Sequence, residues 1–220
     1  MSVKENLLNI KASLPPTVTL VAVSKTKPVA DLMEAYEAGQ RIFGENKIQE
    51  MTDKWEQMPK DIEWHMIGHV QTNKVKYMAP FVALVHGVDS FKLLAEINRQ
   101  AGKNGRIIDC LLQVHIAEEE TKFGMDEQEL SALIESDEFK QMHSVKVIGL
   151  MGMATFTEDQ QQIRKEFTHL KSIFDRLAAQ PSTVNCQLST LSMGMSGDYQ
   201  LAIVCGSTMV RIGSSIFGHR

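Results

Sequence analysis

The chain is short of cysteine, of tyrosine and of long apolar runs, and each shortage removes a class of protein. Cys110, Cys186 and Cys205 are odd in number and far apart. They offer neither a disulfide framework nor a CxxC metal or redox motif, and such usage fits a reducing, cytoplasmic setting. No apolar stretch approaches the roughly 20 residues that a membrane helix needs. The opening Met1-Ser2-Val3-Lys4-Glu5-Asn6 lacks the basic-then-apolar order of a secretory signal. Positive charge is not in excess either. The net charge is −4, which gives no bulk attraction to nucleic acid or to an anionic membrane surface. No low-complexity linker divides the 220 residues, and residues 1–220 read as a single domain.

What the chain does contain is an alternation of short apolar runs with helical patterns. After an N-terminal amphipathic segment and Pro15-Pro16, the first run covers Val18 to Ser24. A helix over Val29–Ala38 follows, with Pro28 near its start and Gly39 just past its end. Further strands are expected at 41–44, 63–67, 82–88, 107–116, 146–151, 187–190 and 209–212. Helical segments are expected at 46–57, 72–78, from an Asp89-Ser90 cap to Ala101, at 126–138, from Thr157 towards Ala179, at 199–204 and at 214–217. Strands alternating with helices mean a parallel sheet covered by helices. Eight such repeats predict closure into a (β/α)8 TIM barrel, compact against the typical ~250 residues. The alternative, an open doubly wound sheet, would carry a Gly-rich fingerprint after its first strand. That turn is Ser24-Lys25-Thr26-Lys27-Pro28 and contains no glycine.

Lys25 ends the first strand. At the mouth of an apolar strand an amine is partly desolvated, which favours its neutral, nucleophilic form. Such an amine can form a Schiff base with a carbonyl; a lysine snorkelling at a strand end is the plain alternative.

In a barrel, function sits where strands end. The segments after the last two expected strands are Ser192-Met193-Gly194-Met195-Ser196 and Arg211-Ile212-Gly213-Ser214-Ser215. Small residues and hydroxyls there, ahead of short helices, are the composition of a phosphate cradle. Arg211 could add a charge-assisted bond to a phosphate or to a pyridine nitrogen. With Lys25 as the amine, the matching carbonyl compound is pyridoxal 5′-phosphate. Asn46 either lies near that cofactor or caps the next helix. Met193 and Met195 could border its ring. His65 and His69 have HxxxH spacing, but Trp64-His65-Met66-Ile67 reads as strand, so the two side chains diverge and no metal site is expected. His115 reads as a structural histidine, and Lys122 as a solvated lysine among acidic neighbours.

Several long motifs carry a resemblance. They are Val21-Ala22-Val23-Ser24-Lys25-Thr26-Lys27-Pro28, Phe43-Gly44-Glu45-Asn46, Trp64-His65-Met66-Ile67-Gly68, Gln71-Thr72-Asn73-Lys74, Leu191-Ser192-Met193-Gly194-Met195-Ser196-Gly197-Asp198 and Gly206-Ser207-Thr208-Met209-Val210-Arg211-Ile212-Gly213, with Ile216-Phe217-Gly218 at the end. In that order they resemble the pyridoxal phosphate homeostasis proteins, over essentially the whole chain. The resemblance implies the barrel of the alanine racemase N-terminal domain and an internal aldimine at Lys25. It also implies a cofactor cradle from Ser192, Met193, Ser196, Arg211, Gly213 and Ser214 with Asn46, and a role for Lys122 in cofactor exchange. One departure is Gly68-His69, where many members have proline after the glycine.

Two functions then compete: a carrier in vitamin B6 homeostasis, and an amino-acid racemase-like enzyme. A two-base racemase needs an acid–base group on each face of the cofactor. Alanine racemase uses a tyrosine from a further β domain for one face. This chain ends at Arg220 after its eighth repeat, and Tyr36, Tyr77 and Tyr199 have no place opposite Lys25. An arginine at the pyridine nitrogen is also a weaker electron sink than a carboxylate. The expectation is a non-catalytic, cytoplasmic monomer that captures and releases pyridoxal phosphate by Schiff-base exchange, with apo-enzymes that use this cofactor as candidate transient partners and the route, direct or through free solution, left open.

Overall fold

Strand β1 (Thr19–Val23) is apolar and buried from Leu20 to Val23 because both of its faces are covered. Val21 packs inside the barrel with Leu84, Leu111, Met151 and Met209. Leu20 and Ala22 join the larger core between strands and helices. This period-2 alternation continues past the strand end and turns Ser24 towards the helices and Lys25 towards the barrel mouth. The computed structural model that shows this describes residues 2–119, 123–180 and 185–218.

The other strands are β2 (Ile42–Glu45), β3 (Glu63–Met66), β4 (Leu84–Val88), β5 (Ile108–Gln113), β6 (Val145–Met151), β7 (Cys186–Ser192) and β8 (Met209–Ile212). They pair in sequence order, all parallel, and β8 closes onto β1 through Thr19↔Met209 to Ala22↔Ile212. The (β/α)8 barrel expected from the repeats is therefore observed.

Helix α1 (Val3–Ser13) precedes the barrel. The principal outer helices are α2 (Val29–Glu37), α3 (Ile48–Gln57), α4 (Val75–Met78) after a 3-10 turn at Thr72–Lys74, and α5 (Phe91–Lys103). They continue with α6 (Glu127–Glu135), α7 (Asp137–Lys140), α8 (Gln160–Ala178), α9 (Tyr199–Val204) and α10 (Ser214–Phe217). Their apolar stripes cover Trp64 and Phe43, whose rings lie 5.9 Å apart. Burial of each such side chain contributes about 1.5–3 kcal/mol. Gly39 takes φ +88° just after α2, the left-handed stop that its position suggested. Among the described residues no helix is long and apolar enough to cross a membrane.

Several boundaries differ from expectation: β5, expected over 107–116, spans Ile108–Gln113, and three other differences have a specific cause. The long helix starts at Gln160, not Thr157, because Asp159 Oδ1 accepts from the amides of Gln161 (2.8 Å) and Gln162 (3.2 Å). Thr157 Oγ1 instead accepts from the Asp159 amide, which places residues 155–158 in a loop at the barrel mouth. The helix expected over 126–138 divides into α6 and α7 because Ser136 caps a new turn, accepting from the Phe139 amide. Strand β7 runs on to Ser192, two residues beyond the expected end, held by the pairs Met151↔Ser192 and Ser192↔Met209.

Candidate functional site

The inward-facing residues change character along the barrel axis. The layer of Val21, Leu84, Leu111, Met151 and Met209 is apolar. Above it, towards the C-terminal ends of the strands, lie His65, His86, Ser192 and Arg211, all buried. Over these opens a cavity of about 540 Å³, lined by Lys25, Asn46, Ser196, Arg211, Gly213 and Ser214 among others. That volume lies within the usual range of small-molecule sites.

Arg211 forms the floor. Its Nη1 donates to the Ser192 hydroxyl at 2.7 Å and to the Ser192 carbonyl at 2.9 Å, and Nη2 donates to the Gly152 carbonyl at 3.1 Å. Burial lowers its pKa to about 10, against the pull of the Asp198 carboxylate, so it stays cationic at neutral pH. Below it, Ser192 Oγ lies 3.1 Å from His86 Nδ1, and His86 Nε2 lies 3.0 Å from His65 Nδ1. Burial pulls His65 down to about 3 and His86 well below its ordinary value, so both rings are neutral.

The wall is made by the two small-residue loops, which touch each other. The Gly213 amide donates to Ser196 Oγ at 3.2 Å. Gly194 carries φ +95°, and its carbonyl accepts from the Arg211 amide at 3.0 Å. Asp198 Oδ1 accepts from the Met195 amide at 2.5 Å and so closes the first loop.

Of the residues singled out from the sequence, Lys25, Asn46, Ser196, Arg211, Gly213 and Ser214 meet around this one cavity. Asn46 does not cap α3; Lys47 precedes that helix without a side-chain cap bond. Met195 also lines the cavity. Ser192 and Met193 do not. Because β7 is longer than expected, Ser192 remains a strand residue facing inward beneath Arg211. Met193 alternates outward, fully buried in the helix-side core. His115 lies off the cavity, its Nε2 3.0 Å from the Glu119 carbonyl. Lys122 lies outside the described residues. His65 and His69 separate as their strand spacing implies: His69 sits at the rim, with Nδ1 3.0 Å from Asp89 Oδ2.

The sequence reading missed much of the opposite wall. Gln113, Phe123, Thr155, Phe156 and Gln160 border the cavity there. Phe123 stacks on His69 with ring centroids 4.1 Å apart, and Phe156 is 93% exposed. Gln113 faces inward at the end of β5; strand ends located Lys25, but β5 was expected to run on to 116, which hid Gln113. The two phenylalanines sit on loops, where no periodicity marks them.

Known proteins show the same architecture. A family model described as the N-terminal domain of alanine racemase matches residues 1–220. A pyridoxal phosphate homeostasis protein of Aquifex aeolicus (strain VF5) is 40% identical over 91% of this chain and 86% of its own length. One from Pasteurella multocida (strain Pm70) is 36% identical over 100% of this chain and 98% of its own. Among solved structures, PipY of Synechococcus elongatus PCC7942, with PLP bound, superposes with a TM-score of 0.89 at 35% identity, covering 99% of this chain and 100% of its own. An alanine racemase of Clostridium difficile 630 matches at TM-score 0.78 but 14% identity, over 100% of this chain and 57% of its own, a likeness of fold alone.

Proposed function

This chain belongs to the pyridoxal phosphate homeostasis proteins, and on that premise we propose that it binds pyridoxal 5′-phosphate through Lys25 in order to hold and supply it. The observation that carries this reading is the meeting of Lys25, Arg211, Ser196 and Gly213 around a single cavity. The donor set fits the group. An amine, a buried guanidinium, hydroxyls and closely packed glycines suit a phosphorylated aldehyde. A Cβ at Gly213 would stand 3.0 Å from the Val23 carbonyl oxygen and 3.2 Å from Val23 Cβ, so the wall is tightly packed there. When bound, the cofactor supplies an aldehyde carbon that condenses with an amine to a C=N bond, releasing one water.

The chain's own residues supply the rest. Lys25 provides the amine. Arg211 presents a fixed positive charge to the ring or the phosphate. Ser196, Gly213 and Ser214 provide small donors for the phosphate, and Asn46 borders the amine. Ser192 acts through Arg211, and Met193 through packing behind the loop.

Holding rather than turnover is supported by the tyrosines. Tyr36 Oη donates to Asp61 at 2.9 Å, Tyr199 Oη lies 3.4 Å from Ser13 Oγ, and Tyr77 is exposed. None of the three lines the cavity. The reading extends to a cytoplasmic monomer that releases its cofactor by Schiff-base exchange, with apo-enzymes as transient partners. One observation favours the racemase-like alternative: the His69–Asp89 pair puts a second base on the rim.

Borohydride reduction with peptide mass mapping tests the site. A pyridoxyl adduct on Lys25 is expected; an adduct elsewhere, or none, refutes it. Incubation of the loaded protein with L-amino acids in deuterium oxide tests the class. No exchange of the α-proton at enzymatic turnover is expected, and stereospecific exchange would install the racemase-like reading instead.

A further inference from the structure

Behind Lys25, on the helix side of the sheet, a buried charged cluster grips the backbone on both sides of that residue. Glu45 ends β2 fully buried, and Lys54 of α3 is 5% exposed. Lys54 Nζ donates to Glu45 Oε1 at 2.7 Å, to Glu50 Oε1 at 2.7 Å and to the Ser24 carbonyl at 2.8 Å. Ser24 Oγ donates to Glu45 Oε1 at 2.6 Å, and the Thr26 amide donates to Glu50 Oε1 at 2.5 Å. The carbonyl before Lys25 and the amide after it are therefore held by the same three side chains.

The backbone held in this way is strained. Thr26 has φ +63°, the left-handed region, which a β-branched residue enters only when its surroundings enforce it. The bond from the Thr26 amide to Glu50 is such a restraint.

Stability alone does not account for the cluster. Desolvating two carboxylates and an ammonium offsets most of their attraction, and apolar packing of the same volume serves a core as well or better. Glu45 Oε2 is buried with no hydrogen-bond partner among the described residues. Burial raises the Glu45 carboxyl above its ordinary pKa, against the pull of Lys54. The cluster costs desolvation, and what it secures is the path of the chain through residues 24–26.

We propose that Glu45, Glu50 and Lys54 are positioning residues for Lys25, fixing the strained turn that aims its amine into the cavity. The proposal rests on the cofactor reading of Lys25. Glu50→Ala removes the acceptor that holds the Thr26 amide, while Glu50→Gln keeps an acceptor at the same place. The Glu45→Gln/Lys54→Met double variant releases the Ser24 carbonyl and neutralises the fully buried Glu45 carboxylate at the same time, while the Glu50 side chain, 24% exposed, keeps contact with solvent.

Each variant is mixed with pyridoxal 5′-phosphate, and the adduct on Lys25 is trapped with borohydride over time. Affinity for pyridoxamine 5′-phosphate, which lacks the aldehyde, is titrated separately. In Glu50→Ala and in the double variant, trapping slows roughly tenfold to a hundredfold, the loss expected from a misplaced reacting group. Pyridoxamine 5′-phosphate binding stays at the wild-type level, and Glu50→Gln traps at close to the wild-type rate. Equal trapping rates in Glu50→Ala and wild type overturn the proposal. So does a parallel loss of pyridoxamine 5′-phosphate binding, which marks a collapsed cavity rather than a misaimed amine. Absence of any adduct on wild-type Lys25 overturns the cofactor reading itself, and the positioning role with it.

Discussion

Arg211 reaches the Ser192 hydroxyl at 2.7 Å, and this single bond orders the polar interior of the barrel. A guanidinium only donates, so Ser192 Oγ accepts from Arg211, and the same hydroxyl lies 3.1 Å from His86 Nδ1. His86 Nε2 in turn lies 3.0 Å from His65 Nδ1, so one of the two neutral rings donates to the other. Ser192→Ala breaks the chain at its centre. It leaves His86 Nδ1 without a partner and loosens Arg211, at a cost of about 1–3 kcal/mol. A lower urea midpoint, together with weaker binding of pyridoxal 5′-phosphate, is expected. Unchanged values of both would show that Arg211 holds its place without the hydroxyl.

The two buried histidines make the fold sensitive to acid. His65 titrates at about 3 when folded against 6.5 as an ordinary histidine, because burial opposes its charged form. Between those values the unfolded chain binds the extra proton. Stability is therefore complete above about pH 6.5 and is lost as pH falls towards 3. The slope approaches roughly 1.4 kcal/mol per pH unit for one such site. His86, shifted in the same direction, adds to it. In His65→Gln, which keeps a group able to donate to or accept from His86, urea midpoints measured from near-neutral to mildly acidic pH should fall less steeply than in wild type. Identical slopes would place the acid sensitivity elsewhere.

The parts of the molecule legible in the sequence are those set by short-range periodicity. Apolar runs of strand length gave the barrel, and alternation from Val21 through Val23 to Lys25 places the lysine at the mouth. Ser192 and Met193 were misplaced because the end of β7 is decided by its pairing with Met151 and Met209, residues remote in sequence. The start of α8 turned on a local contest that composition does not settle: Thr157 and Asp159 are both good caps, and Asp159 holds the helix amides. Glu45, Lys54 and Ser24 form one cluster only because β1, β2 and α3 are folded together. The His65–His86 contact was within reach of alternation, since both residues face inward on neighbouring strands.

Gly68 carries a steric prediction. A Cβ there would stand 2.5 Å from the Asn46 carbonyl oxygen and 2.8 Å from its Cα, backbone atoms that move only at a cost. Gly68→Ala must push Asn46 out of place, at about 1–3 kcal/mol for overpacking. Cofactor affinity should fall as well, because Asn46 lines the cavity. Gly197→Ala is the control. A Cβ at Gly197 meets nothing within 4 Å, although the residue lines the same cavity, and its stability should change by no more than about 0.5 kcal/mol. Equal melting curves for the two variants would refute the steric account.

Gly194 joins backbone strain to function more directly. Its φ is +95°, and a Cβ would stand 2.6 Å from Ala202 Cβ and 3.0 Å from Tyr199 Cα. Its carbonyl also anchors the Arg211 amide. Gly194→Ala should therefore act twice, straining the turn by about 1–3 kcal/mol and shifting both Arg211 and the Met195–Asp198 loop. Gly39 provides the comparison: its φ is +88°, a Cβ there meets nothing within 4 Å, and it lies outside the cavity. Gly39→Ala pays the conformational cost alone. Both variants should melt earlier than wild type, but only Gly194→Ala should weaken the binding of pyridoxamine 5′-phosphate, a ligand whose affinity does not depend on bonding to Lys25. Equal affinity in the two variants would mean that the loop bearing Gly194 does not shape the phosphate site.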